Sequence, residues 1–170
     1  FPFKTKSLGL IDKMKNITHK LATLLIMLTL SAPAFAADYE VKMLNNGAGG
    51  MMIFEPAVLK ASVGDTVKFV ATDMAHNSVS VFTPPGATPW KGAMNEEISI
   101  TLDKPGVYIY ECSPHAMMAM VGVIQVTDGL AFDVSLDSTY VNLAHEFTKT
   151  YQQKFVMNNN RLDTYIHELE

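Results

Sequence analysis

The sequence predicts an all-β Greek-key sandwich followed by two C-terminal α-helices. Three observations predict it. Between residues 38 and 126, short extended runs alternate with turn residues at the spacing of a sandwich. No run in that region has the length and period of a helix. After Asp137 the apolar period changes from about 2 to about 3.6.

The elements follow in order. Tyr39 to Leu44 alternates and is expected to stop at the turn residues Asn45 to Gly50. Phe54 to Ala61 is a second extended run, in which Pro56 disfavours helix. Val63-Gly64-Asp65 turns the chain into Thr66 to Val70, a period-2 strand. Asn77 to Phe82 is expected to be the next strand, with His76 at its start and Pro84-Pro85-Gly86 at its end. Ile98 to Leu102 alternates, and Asp103 to Gly106 turns. Val107 to Tyr110 leads into a loop around Cys112; Val121 to Val126 leads out of it and closes at Thr127-Asp128-Gly129. In the tail, Tyr140, Leu143, Ala144, Phe147 and Tyr151 fall on one helical face, and so do Leu162, Tyr165, Ile166 and Leu169. Their expected role is to cover the sandwich; a partner-binding helix pair is the alternative.

Residues 14–36 read as a secretory signal peptide. Lys13, Lys15 and Lys20 form a positive region before an apolar run, Leu21 to Leu30, and Ala34-Phe35-Ala36 offers an A-x-A cleavage site. The apolar run is too short to span a bilayer. With no Arg-Arg pair, export of an unfolded chain to the periplasm is expected, and no membrane insertion after cleavage. Residues 1–13 precede Met14 and are expected to be an upstream non-native segment. The expected division is therefore 1–13, leader 14–36, sandwich domain 37–128 and helical extension 129–170.

The full chain of 170 residues carries a net charge of −4. Residues 1–36 hold five lysines and one aspartate, so the exported chain keeps 8 basic and 16 acidic side chains, a net of −8. That balance excludes nucleic acid as a natural partner. A single cysteine cannot form an internal disulfide, and a free thiol in an oxidising compartment calls for burial, reactivity or a metal.

Cys112 begins the chemistry. His115 follows at +3 and Met120 at +8, so one short loop offers thiolate, imidazole and thioether, a donor set suited to copper. A second imidazole must come from elsewhere. His145 and His167 lie on the helical tail, and His76 lies at a turn-to-strand boundary, so His76 is the choice. Met117, Met118 and Met120 are all downstream. Met120 is favoured as axial ligand because it borders a strand; Met118 would close a tighter loop. A mononuclear copper site carrying one electron fits this set, and the same ligands would also serve a copper carrier or store. A Cys112–His115 hydrolase lacks a third orienting group and a cleft.

These residues bring the chain close to a known family. Val41 to Ala48 with Phe54-Glu55-Pro56-Ala57, Gly64 to Val67, His76-Asn77, Cys112-Ser113-Pro114-His115 and Met118 to Val121 resemble the pseudoazurins, type 1 blue copper proteins of the cupredoxin family. The resemblance runs from about Asp38 to Asp128. It implies copper ligands at His76, Cys112, His115 and Met120, and a periplasmic electron donor to a reductase such as nitrite reductase. It implies a monomer docking through an apolar patch near His115, for which Met52, Pro114 and Met118 are candidates. Asn77, beside His76, is expected to brace the two ligand segments, with strand capping as the alternative. One departure stands out: Glu111 occupies a position where the family usually has lysine, which weakens the expectation of steering towards an acidic partner.

Overall fold

The computed structural model describes residues 36–128 and 138–170. The expected leader lies outside them apart from Ala36, as does the Gly129 turn position.

Among the described residues, eight strands form two four-stranded sheets. They are β1 (Asp38–Gly47), β2 (Gly50–Glu55), β3 (Val58–Ser62), β4 (Thr66–Val70), β5 (Val79–Phe82), β6 (Ile98–Thr101), β7 (Gly106–Glu111) and β8 (Val121–Thr127). One sheet has the order β2-β1-β4-β6 and the other β3-β8-β7-β5. β1 with β4 and β3 with β8 are parallel; the remaining pairs are antiparallel. The sandwich is thus built from two mixed sheets.

Two boundaries among β1 to β4 differ from expectation. β1 continues through Asn45 and Asn46 to Gly47, because its pairing with β2 holds these residues extended: Asn46 faces Met51 and Gly47 faces Gly50. The run from Phe54 to Ala61 is two strands, broken at Pro56, and the halves join different sheets.

β4 alternates buried and exposed residues, as a strand with one covered face must. β7 and β8 are buried along almost their whole length. The reason is that both of their faces are covered. On the inner side Val41, Phe54, Phe69, Trp90, Tyr108, Tyr110 and Ile124 fill the space between the sheets. Phe54 and Phe69 meet Tyr110 edge-on at 4.7 and 4.9 Å, and Trp90 stacks on Phe69 at 5.7 Å. Gly122 lets the Tyr110 ring lie against β8; a Cβ there would sit 2.3 Å from the hydroxyl.

On the outer side lie α1 (Ser138–Tyr151) and α2 (Arg161–His167). Leu162, Ile166 and Leu169 pack with Val107, Ile109, Val121 and Val123. The buried face of α1 is Val141, Ala144 and Thr148. Leu143, expected inside, is 45% exposed. The helix is turned so that small side chains meet the sheet, while Phe147 and Tyr151 stack at its rim, Phe147 against Phe82 at 5.0 Å. The tail therefore covers the sandwich. Among the described residues no helix is long and apolar enough to cross a membrane.

Candidate metal centre

β7 delivers Cys112 to one end of the sandwich. The chain then forms a 3₁₀ turn over Ser113–Met118 rather than an open loop. Pro114 suits the first turn of such a helix because it needs no N–H there. Ala119, in the left-handed region at φ 58°, ends the turn and swings the chain into β8. The turn is closed by its own backbone. The Cys112 N–H donates to the Met120 carbonyl at 2.9 Å, the His115 N–H to the Cys112 carbonyl at 3.0 Å, and the Met120 N–H to the His115 carbonyl at 3.2 Å.

His76 arrives from the segment between β4 and β5. It lies three residues before β5 and not at the start of a strand as expected, since pairing with β7 begins only at Val79. Its carbonyl accepts the Asn95 N–H at 2.8 Å, and the preceding Ala75 has φ 72°. Five non-glycine residues have positive φ among those described. Three of them, Ala75, Asn95 and Ala119, flank or contact these two segments. Such conformations persist where surrounding structure enforces them, and they concentrate at functional sites.

His76, Cys112 and His115 meet, with one ligand atom from each within 4.8 Å of the others. The Cys112 Sγ lies 3.6 Å from His76 Nδ1 and 3.4 Å from His115 Nδ1. His76 and Cys112 are fully buried; His115 is half-buried. Met120 is fully buried in the same inter-sheet cluster as Cys112.

The groups around the triad fix its chemistry. His76 Nε2 lies 3.0 Å from Asn45 Oδ1. An amide oxygen only accepts, so Nε2 carries the proton and Nδ1 turns its lone pair to the sulfur. Burial, and secondarily the nearby His115, push His76 below the ordinary imidazole value, with Asp73 opposing. The ring is thus neutral and able to ligate at neutral pH. Burial raises the Cys112 thiol, while N–H groups of Asn77 and His115 pull it back. Asn77 joins the two segments: its Oδ1 accepts the Ser113 N–H at 2.9 Å, and its Nδ2 donates to the Gly92 carbonyl at 3.3 Å.

Sulfur and two imidazole nitrogens, converging where His76 and Cys112 are buried and His115 is half-buried, fit a soft or borderline metal and not a hard one. A buried thiol between two aimed nitrogens has few other uses.

The copper-binding family of plastocyanin and azurin matches residues 41–127, over half of the chain. The chain belongs to that family. Among its relatives is a pseudoazurin of Paracoccus pantotrophus, 45% identical over 104 residues, which are 60% of this chain and 72% of the relative. Another, from Methylorubrum extorquens, is 43% identical over 109 residues, 63% and 74% of the two chains. The crystal structure of native pseudoazurin from Hyphomicrobium denitrificans aligns with a TM-score of 0.66 at 32% identity, covering 79% of this chain and 99% of that one. This cupredoxin is accordingly a copper-binding electron carrier and not an enzyme.

Three features of the site had weak signals in the sequence or none. Asn45 read as a turn residue. Arg161, the chain's lone arginine, donates from Nη1 to the carbonyls of Met51, Met52 and Ala119 at 3.3, 3.1 and 3.0 Å, tying α2 to β2 and to the residue before Met120. Glu111 is largely buried and bonded to Lys154 Nζ at 2.7 Å and to the Tyr151 hydroxyl. The residue that departs from the family pattern is therefore paired within the chain.

Proposed function

We propose that His76, Cys112, His115 and Met120 hold one copper ion, and that the chain is a periplasmic shuttle donating single electrons to a reductase such as the nitrite reductase of denitrification. The observation that carries the ligand set is the buried Cys112 sulfur held 3.6 and 3.4 Å from two imidazole Nδ1 atoms. Met120 joins the set through its burial beside Cys112 and its place at the end of the loop. Copper bound there supplies a one-electron couple.

The residues supply the rest. Asn45 holds the His76 imidazole and Asn77 the segment after Cys112 in place before and after the electron moves, so little has to reorganise. The inter-sheet aromatics keep water from the sulfur. His115, the least buried of the three, offers a route to the surface. Met52 and Met118 are half-buried and Pro114 is exposed. Met117 is 60% exposed, and its carbonyl accepts the N–H of the exposed Val156 at 2.8 Å, widening the apolar area around the turn. Such a surface suits brief docking by a monomer. Export rests on the leader pattern of residues 14–36, with cleavage after Ala36 and a mature chain of a 37–128 sandwich and a 129–170 extension. A copper carrier without a redox partner is the competing reading.

The visible spectrum of the copper-loaded protein tests the ligand set. An intense blue thiolate-to-copper band is expected, lost in Cys112→Ala; a colourless oxidised wild type overturns it. Rapid electron delivery to a purified nitrite reductase separates shuttle from store.

A further inference from the structure

The helical cover holds a second cluster of metal-binding side chains. His145 on α1, His167 at the end of α2 and Glu170 each offer one ligand atom within 4.8 Å of the others. His145 Nε2 lies 2.8 Å from Glu170 Oε1, and His167 Nδ1 lies 3.4 Å from Glu170 Oε2. The two imidazole rings stand 5.0 Å apart, tilted by 55°. We propose that His145, His167 and Glu170 form a surface site for a borderline divalent metal of the zinc type, separate from the copper centre.

The donor set argues for that class. Two imidazoles and one carboxylate, with a position left for water, are a recurrent zinc environment. Calcium and magnesium demand mostly oxygen, which this cluster does not provide. His167 has the arrangement of a supported ligand. Its Nδ1 faces the shared carboxylate, while its Nε2 lies 3.6 Å from Asp163 Oδ2. A carboxylate on the far nitrogen orients a metal-bound imidazole and strengthens it as a donor.

The backbone carrying these groups is anchored. Ala144 and Thr148 on α1, and Leu162, Ile166 and Leu169 on the α2 side, are buried. Gln125 Nε2 on β8 donates to the Leu169 carbonyl at 3.5 Å, beside Glu170. The side chains remain open to solvent: exposure is 18% for His145, 57% for His167 and 54% for Glu170. A metal can enter without disturbing the core. Once bound, it links α1 to the end of α2. The bland alternative is a metal-free stitch in which Glu170 serves as acceptor for both histidines.

Zinc titration of the copper-loaded protein by calorimetry decides between them. Copper fills the other centre and its blue band reports the fold throughout. One zinc per chain is expected, with His145→Gln and His167→Gln each weakening uptake by about tenfold or more and leaving the blue band unchanged. Absence of uptake up to about 1 mM zinc, a concentration at which affinity would be negligible, overturns the proposal. So does uptake equal in wild type and both variants, since the metal would then sit elsewhere. Should the protein fail to load copper, the loss of one zinc equivalent between wild type and His145→Gln still reads the second site by itself.

Discussion

The rings of His76 and His115 stand 4.9 Å apart at 58°, and those of His145 and His167 stand 5.0 Å apart at 55°. The dimensions are nearly equal and the surroundings are not. The first pair closes on a buried sulfur, and both segments that carry it are tied by Asn45, Asn77, Asn95 and the backbone of the turn. The second pair closes on an exposed carboxylate, and its side chains are tied only by solvent-exposed ion pairs, to Glu170 and from His167 to Asp163. A cluster held from behind imposes its geometry on a metal. One whose side chains stand open to solvent on an anchored backbone yields to the geometry the metal prefers. The first arrangement suits electron transfer, which needs a site that barely moves, and the second suits a structural clip.

That contrast can be broken most forcefully at Asn77. Asn77→Ala removes the bond to Ser113 N–H and leaves buried groups unsatisfied. The expected loss is about 1–3 kcal/mol in denaturant unfolding of the metal-free protein, with an altered blue band after copper loading. A variant matching wild type in both would show that the ligand segments hold themselves. The surface cluster should behave otherwise. His145→Ala is expected to leave the melting temperature of metal-free protein within about 2 °C of wild type, because exposed ion pairs contribute little. A drop comparable to that of Asn77→Ala would place His145 among the structural supports of the cover. The smallest effect concerns the docking side. With Glu111 already paired to Lys154, association with an acidic partner should depend weakly on salt. Lys154→Gln, by freeing the carboxylate, should slow association about two- to threefold at low ionic strength in stopped-flow measurements. A steep salt dependence in the wild type would mean that other charges govern the encounter.

Much of the fold was legible because period and turn chemistry are local. Thr66 to Val70 and Ile98 to Thr101 each alternate, and each is a strand. Cys112 and His115 could be paired from their spacing. What stayed hidden depended on partners distant in sequence. Asn45-Asn46 carries turn residues, yet pairing with β2 overrides that preference and frees Asn45 to reach His76, 31 positions away. The face of α1 was misjudged by one position because Leu143 fits the period as well as Val141 does; only the closeness of the sheet selects the smaller side chains. The pairing of Glu111 was not legible because its partner, Lys154, stands 43 residues further on.

Arg161 has a bearing on the order of synthesis. A polypeptide emerges amino end first. All eight strands and the turn from Ser113 to Met118 are therefore made before the side chain that reaches the carbonyls of Met51, Met52 and Ala119. A growing chain, or one cut short before residue 161, has every candidate copper ligand and the whole sandwich but lacks the latch at Ala119. The tie between α2 and the residue before Met120 is thus made only after every candidate ligand has been synthesised.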